Sequence, residues 1–181
     1  QGSARGVTPL ANGGDLEAPL AAAFRFGDGV LVEPYLLGRE ITVGVLDLYD
    51  EPPVALPVTE IVVGAEEWYD FENRYAPGKS AHEIPASLPE GTRHELQRIA
   101  LVAHSVLTLR DLSRADFIVA ELPSGDCEIA LLEVNAMPGM TPTSLFPDGA
   151  RAAGIEFEEL VDRLVRSAYK RMAARGAGPI A

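Results

Sequence analysis

Two neighbouring stretches have strand-like patterns, and together they restrict the fold more than any other feature of the sequence. Residues 113–121 alternate between polar and apolar side chains, which is typical of a strand with one buried face. Residues 129–134 form an apolar run interrupted only by Glu133, which we interpret as a buried strand. The segment Ser124-Gly125-Asp126 between them favours a tight turn. The sequence therefore predicts an antiparallel hairpin with strands at residues 113–121 and 127–135.

Polar side chains on one face of this hairpin predict a metal site. A carboxylate such as that of Glu133 is costly in a buried strand unless it is paired or bound to a cation. Asn135 follows two residues later on the same face, and Asp116 is expected to meet both from the other strand. Such oxygen ligands suit Mg²⁺, and a cation beside Arg114 is typical of phosphoryl transfer. Either acid alone would more often lie on a solvated face or in a salt bridge, but the combination favours the metal.

The remaining elements follow from periodicity and from turn residues. The chain of 181 residues is long enough for one domain or two small ones. Residues 64–85 have little regular pattern but several aromatic side chains, which favours a functional lid over disorder. The sequence predicts helices at residues 15–26, 88–109, 147–154 and 156–174, and strands at residues 30–32, 39–47 and 54–63.

Composition excludes some classes of partner. The net charge of −12, from 27 acidic and 15 basic residues, argues against nucleic acid and against an anionic membrane. No apolar run approaches the length of a membrane span. We expect the single cysteine, Cys127, to be a buried, inert thiol in a strand. His94 and His104 lack partners at metal-ligand spacing, so we expect surface or hydrogen-bonded histidines.

A longer set of motifs resembles one family. It comprises Arg114-x-Asp116, Glu133-x-Asn135, Pro138-Gly139-Met140-Thr141 and Ser144-Leu145. This set resembles the C-terminal half of a D-alanine:D-alanine ligase of the ATP-grasp superfamily, from about Gly2 to about Arg166. The resemblance implies an α+β fold with a mainly antiparallel sheet flanked by helices, which we expect on one side. It also implies three parts: the end of the ATP-grasp central subdomain at residues 1–37, the C-terminal catalytic domain at 38–174 and a flexible tail at 175–181.

The resemblance also assigns roles to individual residues. It implies metal ligands for two Mg²⁺ ions, with Mn²⁺ as a substitute, and it implies groups that bind ATP, stabilise charge or hold the second substrate. On the residues alone, Tyr35 and Leu36 are better explained as core than as nucleotide contacts. The implied set is Asp116, Glu133 and Asn135 for metal; Arg114, Ser3, Tyr75 and Gly139 for catalysis; Glu33, Tyr35, Leu36, Glu40 and Arg74 for ATP; and Ser144 and Leu145 for substrate.

The implied activity is the ATP-dependent joining of two D-alanines for peptidoglycan precursor synthesis, in the cytoplasm, by a homodimer of the full-length protein. The chain begins with Gln1 rather than Met, so we expect a fragment without the N-terminal domain. Ala4, Arg5 and Arg74 depart from the family pattern. They leave open a ligase with another acceptor, such as D-lactate, D-serine or another amino acid. A non-catalytic nucleotide-binding remnant is a third interpretation.

Overall fold

The computed structural model describes residues 6–10, 14–63, 80–141, 143–174 and 176. By its contacts the chain divides into two compact units, Gln1–Leu37 with Val62–Ala81 and Gly38–Ile61 with His82–Ala181. The division into an ATP-grasp central subdomain, a catalytic domain and a tail stays a prediction. No described helix combines the length and the apolar character needed to cross a membrane.

The first unit contains a short helix. Helix α1 spans Glu17–Ala23 and continues as a 3₁₀ turn over Phe24–Phe26, which confirms the predicted helix. The Asp15 carboxylate accepts a hydrogen bond from the Glu17 N–H at 2.9 Å, although the capping position itself is Leu16. The predicted strand at residues 30–32 is wrong. Leu31 is 78% exposed there, and no described strand pairs with this segment.

The second unit contains most of a six-stranded sheet. Its strand order is β4-β3-β1-β5-β6, and β2 pairs with β1. Strand β1 pairs antiparallel with β2, β3 and β5, and β5 pairs antiparallel with β6, so the predicted α+β fold is confirmed. The strands are β1 (Arg39–Asp47), β2 (Val54–Ala55), β3 (Thr59–Val63), β4 (Ser80–Glu83), β5 (Asp111–Glu121) and β6 (Cys127–Asn135); the helices are α2 (Glu90–Val106), α3 (Leu145–Ala152) and α4 (Phe157–Ala174).

Helices cover both faces of the sheet rather than one. Ile41, Val43 and Val45 of β1 alternate onto one face, where they pack with Leu96 of α2. Leu46 faces the other way and belongs to a second cluster, which includes residues of α3 and α4. The expectation of helices on one side is therefore wrong, because β1 is apolar on both of its faces.

Strand β6 is exposed, contrary to the predicted buried strand. It is the last strand in the sheet order, so among the described strands it has a neighbour on one side only. Leu131 and Leu132 are 41% and 50% exposed, and Cys127 is half-buried rather than fully buried. An apolar run thus predicted the strand correctly but could not distinguish an edge strand from a central one.

Other strand and helix boundaries also differ from the predicted ones. The predicted strand at residues 54–63 is divided into β2 and β3, and Pro57, which has no N–H to donate to a ladder, lies in the gap. Strand β4 was not predicted. Helix α2 buries Leu96 and Ala100, whereas Val106 at its C-terminal end is 74% exposed.

Two polar side chains of this unit, His104 and Glu60, have well-placed partners. The buried His104 imidazole lies 2.7 Å from the Ser113 hydroxyl, and His94 is exposed, which confirms both histidine expectations. Arg39 donates to both carboxylate oxygens of Glu60, as expected for an acid among apolar neighbours. The hydrogen bonds to Glu60 raise the pKa of Arg39 above its ordinary value, despite partial burial.

Gly44 lets α3 approach the centre of the sheet. A Cβ atom at Gly44 would lie 2.7 Å from Leu56 Cδ1 and 3.0 Å from Phe146 Cδ2, closer than side chains pack. The buried Phe146 ring of α3 therefore occupies the space above this glycine.

The first prediction concerns this contact. Gly44→Ala should lower the free energy of unfolding by about 1–3 kcal/mol, because a methyl group there overpacks Leu56 and Phe146. Gly91→Ala is the matched control, since nothing lies within 4 Å of its Cβ position in α2, and alanine there should stabilise by about 0.5 kcal/mol. Urea denaturation measures both, and effects of the same sign would contradict the prediction.

Candidate functional site

The β5–β6 hairpin brings the predicted acids together. Its register places Asp116 opposite Glu133 and Arg114 opposite Asn135, which confirms the hairpin and the shared face. The turn between the strands uses Gly125 at φ +87°, a conformation that favours glycine. The register shifts between Asp116 and Phe117, so an extra residue of β6 is accommodated directly beside the acids.

Three hydrogen bonds hold the carboxylate of Asp116. Arg114 Nε donates to Oδ1 at 2.8 Å and Nη2 donates to Oδ2 at 2.7 Å, which makes a two-point ion pair. Thr42 Oγ1, on the adjacent strand β1, donates to the same Oδ1 at 2.6 Å. The side chains of Arg114 and Asp116 are only 12% and 16% exposed, so these charge-assisted bonds are shielded from much of the solvent.

The facing residues offer further oxygens. Glu133 is exposed, and Asn135 is half-buried with its Oδ1 accepting a hydrogen bond from the Met137 N–H at 2.9 Å. Two carboxylates directly opposite one another across a sheet repel, so a cation between Asp116 and Glu133 would stabilise the pair. The donor set therefore fits a hard divalent cation such as Mg²⁺. The described residues contain no cluster of three or more His, Cys, Asp and Glu suited to a metal, and here the third oxygen is an amide.

The segment after β6 forms its own hydrogen-bond network. Ser144 Oγ lies 2.8 Å from Thr141 Oγ1 and accepts from the Thr141 N–H at 3.1 Å. Gly139 lies against this hydroxyl, because a Cβ atom on it would come within 2.8 Å of Ser144 Oγ. Ser144 precedes α3 at its capping position, yet no side chain caps this helix. The first N–H groups of α3, including that of Leu145, thus have no acceptor among the side chains that the structure describes.

Helix α3 is also tied to strand β4. Asp148 Oδ2 lies 2.7 Å from Nδ1 of His82, and Asp148 Oδ1 accepts from Arg151 at 2.7 Å. Together with Phe146 above Gly44, this pair fixes the helix that follows Ser144. This contact was not predicted, because β4 has no clear strand pattern in the sequence.

The remaining predicted site residues are placed as follows. Glu33, Tyr35 and Leu36 lie in an exposed segment of the first unit without regular secondary structure. Glu40 lies in β1 opposite Ile118, on the face that carries Thr42. Ser3, Arg74 and Tyr75 lie outside the described residues.

Thr42 and Thr141 were not among the predicted site residues. Thr42 is buried between Ile41 and Val43, so a threonine in a strand-forming run gave no sign of a polar role. The alternation of side chains along a strand could have indicated this role, because it places Thr42 on the face opposite to that of Ile41.

The chain is similar to known proteins over most of its length. Residues 1–166 match the family described as "D-ala D-ala ligase C-terminus". A D-alanine--D-alanine ligase of Methylobacterium radiotolerans is 40% identical over 93% of this chain and 54% of its own length. The D-alanine--D-alanine ligase of Bacillus anthracis complexed with ATP superposes with a TM-score of 0.69 at 26% identity, covering 88% of this chain and 48% of its own. VanG D-Ala:D-Ser ligase of Enterococcus faecalis gives a TM-score of 0.72 at 29% identity, covering 91% and 46%.

These matches support the ATP-grasp fold that the motifs implied. The chain spans about half the length of the curated relatives it matches.

The second prediction tests the contact between Gly139 and Ser144. Gly139→Ala should displace Ser144 Oγ and lower the free energy of unfolding by about 1 kcal/mol, because the hydrogen bonds to Thr141 are lost. In a Ser144→Ala background the same change should cost less, since the clashing oxygen is absent. Urea denaturation of the four proteins measures this coupling. Additive effects of the two changes would contradict the prediction, because they would show that the cost of Gly139→Ala does not come from the Ser144 hydroxyl.

Proposed function

The chain belongs to the D-ala D-ala ligase C-terminus family, and from this we propose that the full-length protein joins two D-alanines into D-alanyl-D-alanine at the expense of ATP. The observation that carries the proposal is the grouping of Asp116, Glu133 and Asn135, with Arg114 beside them, on one face of the hairpin. Such a ligase forms a carbon–nitrogen bond and supplies a peptidoglycan precursor in the cytoplasm.

Asp116, Glu133 and Asn135 are the residues that would hold two Mg²⁺ ions, or Mn²⁺ in their place. The fit rests on the opposed carboxylates, whose repulsion a cation relieves, and on the amide oxygen next to them. When bound, the metal ions neutralise the charge of the ATP phosphates.

The proposed chemistry has two steps. The carboxylate of the first D-alanine attacks the γ-phosphate, which releases ADP and forms an acyl phosphate. The amine of the second D-alanine then attacks the acyl carbon, loses a proton and expels phosphate as the amide bond forms. Arg114 stabilises the transferred phosphoryl charge, and the Gly139 N–H donates to the oxyanion of the tetrahedral intermediate.

The N-terminus of α3 suits the carboxylate of the second substrate. No described side chain caps the first N–H groups of this helix, and the helix dipole places partial positive charge there. The Ser144 hydroxyl and the Leu145 N–H are therefore the proposed ligands. The contacts from Thr141 and His82 support this end of the helix.

Other assignments follow from the family resemblance. Glu33, Tyr35, Leu36 and Glu40 bind the nucleoside, Arg74 contacts the phosphates, and Ser3 and Tyr75 act together at the first substrate. The domain division at residues 37 and 174 and a homodimer of the full-length protein belong to the same proposal.

The third prediction tests the reaction itself. The full-length protein with ATP and Mg²⁺ should release phosphate when D-alanine is added and give no increase with L-alanine. D-Lactate and D-serine are tested as competing acceptors, with the dipeptide measured directly. A preference for D-lactate or D-serine would identify that compound, instead of D-alanine, as the acceptor. ATP binding without release for any amino acid would indicate a binding remnant.

The fourth prediction tests the metal ligands. Asn135→Ala and Glu133→Ala in the full-length enzyme should lower turnover by at least about 100-fold without unfolding it, since removing even an outer partner of a metal site commonly costs 10- to 100-fold. Glu128→Ala is the matched control, because it removes another exposed glutamate of β6, opposite Ala120 and away from Asp116. Steady-state kinetics with circular dichroism measures both properties. Near-wild-type turnover of Asn135→Ala would refute the metal assignment.

A further inference from the structure

Thr42 is a buried residue whose hydroxyl is hydrogen-bonded to the carboxylate of Asp116. It lies in β1, directly opposite Asp116 of β5, and its side chain is buried, with 2% of the residue exposed. Its hydroxyl is 2.6 Å from Asp116 Oδ1 and 3.2 Å from the Ala115 carbonyl oxygen. A hydroxyl has one proton to donate, and the shorter, charge-assisted contact to the carboxylate takes it.

This bond decides which oxygen of Asp116 is available to a cation. Each carboxylate oxygen has two acceptor sites. Oδ1 accepts from both Thr42 and Arg114, whereas Oδ2 accepts only from Arg114 among the hydrogen bonds described here. Oδ2 therefore keeps one acceptor site for a further ligand, in a residue that lies directly opposite Glu133.

The two partners of Asp116 differ in stiffness. Arg114 has a long side chain, and its charge is the one proposed to turn toward a phosphoryl group. Thr42 is β-branched, buried and anchored in a neighbouring strand, so its hydroxyl has little freedom to move. Of the two, Thr42 is the contact that can keep Asp116 oriented when Arg114 engages an anion.

The geometry points to Thr42 as a positioning residue for the metal site: its hydroxyl occupies Oδ1 of Asp116 and aims Oδ2 at the cation. This inference rests on the proposed metal site and deepens it. Thr42 touches neither substrate nor metal and acts only through Asp116.

Thr59 provides a matched comparison. It lies directly opposite Thr42 across the β1–β3 pair and is equally buried, with 2% of the residue exposed. Its hydroxyl donates to the Pro57 carbonyl oxygen at 3.4 Å and not to the site. Thr59→Val and Thr42→Val therefore remove the same chemical group from the same layer of the sheet, and only one change should affect a metal.

The experiment titrates Mn²⁺ into the full-length protein with a non-hydrolysable ATP analogue, and free Mn²⁺ is read by electron paramagnetic resonance. Thr42→Val should weaken Mn²⁺ binding by about 10- to 100-fold, as loss of an outer partner commonly does. Thr59→Val should leave the affinity at the wild-type value, and Thr42→Ser should restore it because the hydroxyl returns. Circular dichroism checks that all variants are folded.

The outcomes are distinguishable. Wild-type Mn²⁺ affinity in Thr42→Val, or an equal loss in Thr59→Val, overturns the inference while leaving the ligase proposal intact. Absence of Mn²⁺ binding by the wild type overturns the inference and the proposed metal site together. Weakened binding confined to Thr42→Val, in a protein that releases no phosphate with D-alanine, supports the inference and refutes the proposed function.

Discussion

The opposition of Asp116 and Glu133 across the β5–β6 pair is the constraint on which the rest of the site depends. Like charges placed directly opposite in a sheet are destabilising, so the arrangement requires compensation. Arg114 compensates one of the two carboxylates through its two-point contact with Asp116. Glu133 remains exposed on the same face. One carboxylate is thus paired with an arginine while the opposite one stays exposed. A salt bridge with a purely structural role would not need the second carboxylate, whereas a cation site would use it as a ligand.

The two faces of the sheet have different roles: one carries mainly apolar packing near β1 and β5, and the other also carries the polar residues of the site. On one face, β1 and β5 pack against α2 through apolar side chains, which gives the strands a rigid base. On the other face, Gly44 admits the Phe146 ring, so α3 begins over the sheet and near its centre. The His82–Asp148 contact fixes α3 from strand β4. The loop between β6 and α3 is therefore held at both ends, which limits the positions available to Ser144.

Local patterns predicted those parts of the molecule that depend on local chemistry. The alternation in residues 113–121 identified β5 and its polar face, and the turn residues identified the hairpin and hence the pairing of Asp116 with Glu133. The strand at Arg39–Asp47 and all four helices were predicted within a few residues of their ends.

The errors arise where tertiary neighbours decide the outcome. An apolar run cannot show that β6 is an edge strand, nor that Val32 lacks a strand partner among the described residues. The role of Thr42 depends on the β1–β5 register, which no single segment of the sequence contains. The ligand-binding roles of Glu33, Ser3 and Tyr75 come from the resemblance alone.

The charge balance of the site also affects how nucleotide and metal would bind. Around Asp116, the face formed by β5 and β6 carries the two carboxylates of Asp116 and Glu133 beside Arg114. An anionic nucleotide would meet net negative charge there, within a chain whose overall charge is −12. Divalent cations held by Asp116 and Glu133 would reverse that local balance, because each would add two positive charges. If the proposed function holds, nucleotide and metal must therefore bind cooperatively, and the orientation of Asp116 affects both.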